Sequence, residues 1–135
     1  MMGVENIEKY ELGLKKKSFS LFFHGGEIWC EHLDSLYDQM ELLKQKFMQD
    51  LLQIQKPSSS SFVAVILDDS NVDSEILDQI LHEFFRLNKQ LRKVVFVGLN
   101  SKMKRYMKKR SADTNYLMIC MDDLEKAKEW LVRKE

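Results

Sequence analysis

The chain has 135 residues, 44% of them hydrophobic and 31% charged, with 21 Lys+Arg against 21 Asp+Glu. One domain of that size buries roughly two-thirds of its unfolded surface and folds without a metal or disulfide staple. Zero formal charge argues against a protein whose whole surface is an electrostatic footprint for nucleic acid or anionic lipid, though not against a local patch, and two cysteines exclude a disulfide scaffold.

In chain order, Tyr10–Leu14 alternates weakly and runs into Lys15, Lys16 and Lys17. Phe19–Phe23 is a short aromatic-rich run closed by Gly25 and Gly26, which predicts a strand followed by a turn. The two runs predict a hairpin through the lysines. From Leu33 the period changes, and Leu33, Leu36, Tyr37, Met40, Leu43, Phe47, Leu51 and Ile54 recur at steps of three or four, predicting one long helix. Pro57 and Ser58–Ser61 end it.

Phe62–Leu67 is an unbroken apolar run ending at Asp68 and Asp69, the pattern of a strand covered on both faces. Asp73 or Ser74 can cap the next helix, whose stripe is Ile76, Leu77, Ile80, Leu81, Phe84, Leu87 and Leu91. Val94–Val97 is a second buried strand, and Asn100 or Ser101 caps a helix that turns Met103, Tyr106 and Met107 inward. Tyr116–Met121 is the last strand, followed by a helix opened by Asp122 and Glu125 and burying Leu124, Ala127 and Leu131. The predicted order is ββαβαβαβα: an α/β domain over 1–135, its core about 10–131, with a mixed, mostly parallel sheet of about five strands and four helices.

These segments, in this order, resemble the STAS domain, the fold of anti-anti-sigma factors and of the small SpoIIAA-like proteins. The resemblance is carried by Gly26-Glu27-Ile28 before the first long helix, by Val65-Ile66-Leu67-Asp68, by Asn100-Ser101-Lys102-Met103-Lys104-Arg105-Tyr106 opening the third helix, and by Ala127 with Trp130-Leu131 in the last. It covers nearly the whole chain. It implies a non-enzymatic regulatory domain without a cofactor, binding a protein partner of the anti-sigma-factor or switch-kinase type through the 68–76 loop and the second helix. The residues so implied are Asp68, Asp69, Asp73, Ser74 and Glu75. The family's phosphoacceptor motif is degraded: aligned on Asp73-Ser74, the acceptor position holds Glu75 and the following glycine is Ile76. Ser74 is then the candidate for phosphorylation, with Asp73 and Ser74 as simple helix caps the plainer reading. The alternative implied by the SpoIIAA-like branch is a module for a small apolar, lipid-like or anionic ligand; an enzyme is a third and weaker reading.

The residues themselves add three points. His24, Cys30 and His32 are metal-ligating types, but their spacing fits no common zinc site, so no metal is predicted. No GxGxxG, P-loop or HExxH is present, and no nucleophile, base and acid are spaced as a triad. Lys102, Lys104, Arg105, Lys108, Lys109 and Arg110 form a basic run that is either a solvated helix face or a docking patch for an acidic partner; exposed aromatics interleaved for nucleic acid are lacking. No run reaches the ~20 apolar residues that cross a bilayer, and the start has no basic n-region before an apolar stretch, so a cytoplasmic protein is expected. Residues 1–91 carry 9 basic and 15 acidic groups, giving −6, and residues 92–135 carry 12 and 6, giving +6. Neutrality is thus the sum of two oppositely charged halves.

Overall fold

The first two described strands form a hairpin, and its turn explains its register. The computed structural model describes residues 16–134. Strand β1 (Phe19–Phe23) pairs antiparallel with β2 (Gly26–His32), and Phe23 faces Gly26 across a two-residue loop. That loop, His24 at φ +49° and Gly25 at φ +86°, has both central residues left-handed, the geometry whose twist matches the flanking strands. The hairpin predicted through the lysines is therefore displaced: Phe19–Phe23 turns into the strand that follows it, and Tyr10–Leu14 lies outside the described residues.

Beyond β2 the chain alternates. Helix α1 (Met40–Ile54) leads to β3 (Phe62–Ile66), α2 (Ser74–Phe85) to β4 (Lys93–Val97), and α3 (Ser101–Arg110) with a short 3₁₀ turn to β5 (Leu117–Met121); α4 (Leu124–Val132) closes the described chain. The sheet order is β1-β2-β3-β4-β5, with every pair after the first parallel. The ββαβαβαβα order and the mixed, mostly parallel sheet of an α/β domain are as expected.

Consecutive right-handed crossovers between neighbouring strands put their helices on one face of the sheet. Leu43, Phe47 and Leu51 of α1, Ile76, Leu77, Ile80 and Phe84 of α2, and Met103 and Met107 of α3 pack there on Val63, Val65, Val94 and Phe96. The other face is covered by α4, whose Ala127 and Leu131 are fully buried on Ile28, Cys30, Ala64, Ile66, Val95 and Val97. Burial on both faces is why β3 and β4 read as unbroken apolar runs. Lys93 is the exception in β4: its buried ammonium donates to the carbonyls of Trp130 and Arg133 at 3.0 and 3.1 Å, capping the C-terminus of α4. No helix among the described residues is long and apolar enough to cross a membrane.

Two local readings change. The periodic stripe from Leu33 is helical only from Met40; Leu33 and Leu36 are buried loop residues, and Ser35 (φ +59°) and Tyr37 (φ +48°) are left-handed, which no α-helix accommodates. The cap of α4 is Asp123, which accepts from the N–H groups of Glu125 and Lys126, and not Asp122.

Candidate functional site

All four parallel strands end at the same edge of the sheet, where open α/β sheets place their binding loops. Two loops meet there and extend the β2–β3 pairing past the strands. Leu33 N–H donates to the Ile66 carbonyl (2.9 Å), Ser35 to Asp68 (2.7 Å) and Tyr37 to Asp69 (2.8 Å), while the Asn71 N–H returns to Tyr37 (2.9 Å). The Ser70 hydroxyl ties both loops, donating to the Leu33 carbonyl at 2.6 Å and accepting from the Leu36 N–H at 3.1 Å. Leu33, Leu36, Leu67 and Val72 anchor the pair in the core.

Locked between these anchors are three left-handed residues, Ser35, Tyr37 and Asp69 (φ +58°). Aspartate tolerates that region; a tyrosine there is uncommon and costs on the order of 1–3 kcal/mol, which the surrounding hydrogen bonds must hold. The conformation directs the Tyr37 ring outward, 58% exposed. Asp38, Asp68, Asp69, Asp73 and Glu75 are exposed on the same edge, and Asn71 Nδ2 donates to Asp38. Asp68 is backed by Gly98 (φ +92°), where an added Cβ would stand 2.5 Å from the Asp68 carboxylate and 2.8 Å from its backbone nitrogen. Glycine is required there by conformation and by space.

The five sequence-predicted residues of the 68–76 loop thus lie together on this crest. Asp73 is the N-cap of α2, its carboxylate accepting from the Ile76 N–H at 2.9 Å, and Ser74 is the half-buried first helical residue. Asp34, buried next to the crest, meets His32 Nδ1 at 2.9 Å and Lys16 at 3.4 Å. Burial would raise its carboxyl, but the His32 contact and the Lys16 ammonium outweigh it and hold Asp34 below the usual range.

The basic run is a different surface. All six residues lie on α3, but Arg110 is bound to Asp78 (2.6 Å) and Asp113 (3.1 Å), and Lys104 to Asp122 (3.0 Å). Lys102, Arg105, Lys108 and Lys109 are exposed and form no ion pair among the described residues. The α3 axis carries Lys108 and Lys109 about 12–14 Å from its cap Asn100, at 1.5 Å per residue, so the structure does not join the loop to the Lys108–Arg110 end of the run.

His24 and His32 are also apart. One sits in the hairpin turn and the other at the far end of β2, about 20 Å along the strand, so His24, Cys30 and His32 cannot share an ion. Burial pushes the Cys30 and Cys120 thiols up to about 11, against the thiolate at neutral pH.

Sequence reasoning missed two features. Tyr37 was hidden in the false helical stripe, although Asp34, Ser35 and Asp38, all cap-type residues, interrupt it. The second is a polar cluster under β2. Glu31 is fully buried, accepts from Trp29 Nε1 at 2.9 Å, and faces Asp50, which itself holds Ser18 Oγ (2.8 Å) and Lys46 Nζ (3.0 Å). Burial, and then Asp50, raise the Glu31 carboxyl well above its usual range despite Lys46 and Trp29.

No protein-family model, no curated protein and no solved structure matches the chain.

Proposed function

We propose that the chain is a non-enzymatic regulatory domain, of the kind its resemblance to STAS and SpoIIAA-like proteins implies, which binds a protein partner through the crest. One observation carries this reading: an exposed tyrosine held left-handed by the backbone of the facing loop, within an acidic rim. A backbone fixed before binding leaves less entropy to lose on docking, and aromatic anchors dominate interface energies. The rim of Asp38, Asp68, Asp69, Asp73 and Glu75 selects a basic surface and steers its approach. The partner is then a regulatory protein of the anti-sigma-factor or switch-kinase type, with basic residues around an apolar pocket. A phosphate on Ser74 would gain from the free N–H groups of α2 and lose from Asp73 and Glu75, adding charge to the rim and so tuning the affinity.

The test is site-resolved co-purification from the native cell with a photo-crosslinking residue at position 37 and, as control, at exposed Phe85 of α2. The expected result is one stoichiometric protein crosslinked at 37 and not at 85, its affinity weakened at least about tenfold by Tyr37→Ala or Asp69→Lys. A partner held equally by both variants, or crosslinked only at 85, overturns the reading.

A further inference from the structure

The sheet has an outer strand whose backbone is unsatisfied in a regular way. Leu117 N–H donates to the Arg92 carbonyl at 3.0 Å, and the Met121 carbonyl accepts from Gly98 N–H at 3.2 Å. In a parallel ladder the residues that bond one neighbour alternate with those that face away, so Leu117, Ile119 and Met121 bond β4. The N–H and C=O groups of Met118 and Cys120 point outward, and no strand pairs with them among the described residues. Such an edge is a template for another strand unless charge, a bulge or a covering segment blocks it. Leu117-Met118-Ile119-Cys120-Met121 has no charge and no proline, and Leu117 is 58% exposed.

The edge is also shaped. Between it and α3 runs a groove of about 370 Å³ lined by Met118, Ile119 and Cys120 and, from the helix, by Lys104, Lys108 and Ser111. Its floor is apolar and its rim is cationic. Lys108 has no ion pair among the described residues, and Lys104 holds only the exposed Asp122, a pair of the kind that contributes little.

We infer that the β5 edge, together with Lys104 and Lys108 of α3, accepts an extended acidic segment of a partner protein as a sixth strand. The period of a strand fixes the segment's chemistry. Side chains on the α3 side reach over Met118 and Cys120 to the two lysines and are carboxylates. Those on the α4 side lie on Leu117 and Ile119 and are aliphatic. Met118 and Cys120 supply the main-chain bonds, which give affinity without sequence; the lysines give selectivity for alternating acidic and apolar residues. This surface is distinct from the crest and does not depend on the reading proposed for it.

The probe is a fluorescent octapeptide of alternating glutamate and valine, against one of alternating lysine and valine, followed by anisotropy on the full chain and by amide exchange. The acidic peptide is expected to bind, to weaken between about 50 and 300 mM salt, and to protect the Met118 and Cys120 amides; the basic peptide is not. Lys108→Glu should weaken binding at least about tenfold. Cys120→Pro removes an outward N–H, a position where an edge strand tolerates proline, and should abolish binding with the ladder to β4 intact. Tyr37→Ala should leave the affinity unchanged. Equal binding of the two peptides, full affinity in Lys108→Glu, no binding at all, or protection confined to amides outside β5 overturns the inference.

Discussion

At the scale of single residues, the ionisation state of Glu31 bears on the stability of the fold. Its side chain is fully buried on the α1 face of β2, one oxygen bound to Trp29 and the other without a hydrogen-bond partner. A buried carboxylate without full compensation is unfavourable, so burial, and then Asp50, favour the neutral acid in the fold. The folded chain therefore holds this proton more tightly than the unfolded chain, where glutamate titrates near ~4.3. Its contribution to stability is fully present below that value and is lost as pH rises through the raised folded value. Glu31→Gln keeps an acceptor for Trp29, offers an N–H toward Asp50, and does not titrate. Urea unfolding should give equal stability for the two proteins in mild acid and a more stable variant at neutral to alkaline pH. A variant that loses stability equally at all pH values would mean that Glu31 is ionised in the fold.

At the scale of elements, two of the four helix starts are set by side chains that satisfy free N–H groups and were legible in the sequence, those of α2 and α3. Asp73 caps α2 and Asn100 caps α3, each accepting from the N–H three residues on, as their positions before the apolar stripes foretell. Asp73→Ala should cost about 1 kcal/mol, seen as a lower urea midpoint at unchanged slope. Because Asp73 is also in the acidic rim, Asp73→Asn separates the roles: it keeps the cap oxygen and removes the charge. What was not legible has one physical origin. A stripe of apolar residues reports burial, and burial alone does not separate a helix from an anchored loop. Leu33 and Leu36 are buried at helix-like spacing, yet the backbone between them turns left-handed to bond the β3 loop. Strand β2 was missed for the converse reason. Glu31 and His32 look like surface residues, but the first is buried and the second stacks on Phe19 at 5.7 Å, so the polar letters conceal a strand packed on both faces. The acidic half of the crest could therefore be read from Asp68–Glu75, while its aromatic half depends on a loop contact that local sequence does not encode.

At the scale of the molecule, the sheet runs β1-β2-β3-β4-β5 in sequence order, so an asymmetry along the chain becomes one across the fold. Within the described residues, 16–91 carry 7 basic and 12 acidic groups, a balance of −5, and 92–134 carry 12 and 5, a balance of +7. The first stretch builds β1 to β3 with α1 and α2, and the second places its unpaired lysines on α3 beside the far edge strand. The domain is thus polar in the electrical sense although its pI is near 6.8. Near neutral pH no net charge keeps copies apart, and the acidic side of one can meet the α3 side of another. That contact is head-to-tail, so each copy keeps a free pole for the next. At about 10 mM ionic strength the Debye length of ~30 Å spans the domain, and at about 0.15 M it falls to ~8 Å. Sedimentation velocity should therefore show a coefficient that rises with concentration at the lower salt and stays constant at the higher. Lys108→Glu with Lys109→Glu should remove the rise, because it erases the basic pole without touching the core. A concentration dependence that survives in high salt or in that variant would place the contact on an apolar surface, with Phe22, 82% exposed on β1, the first residue to replace.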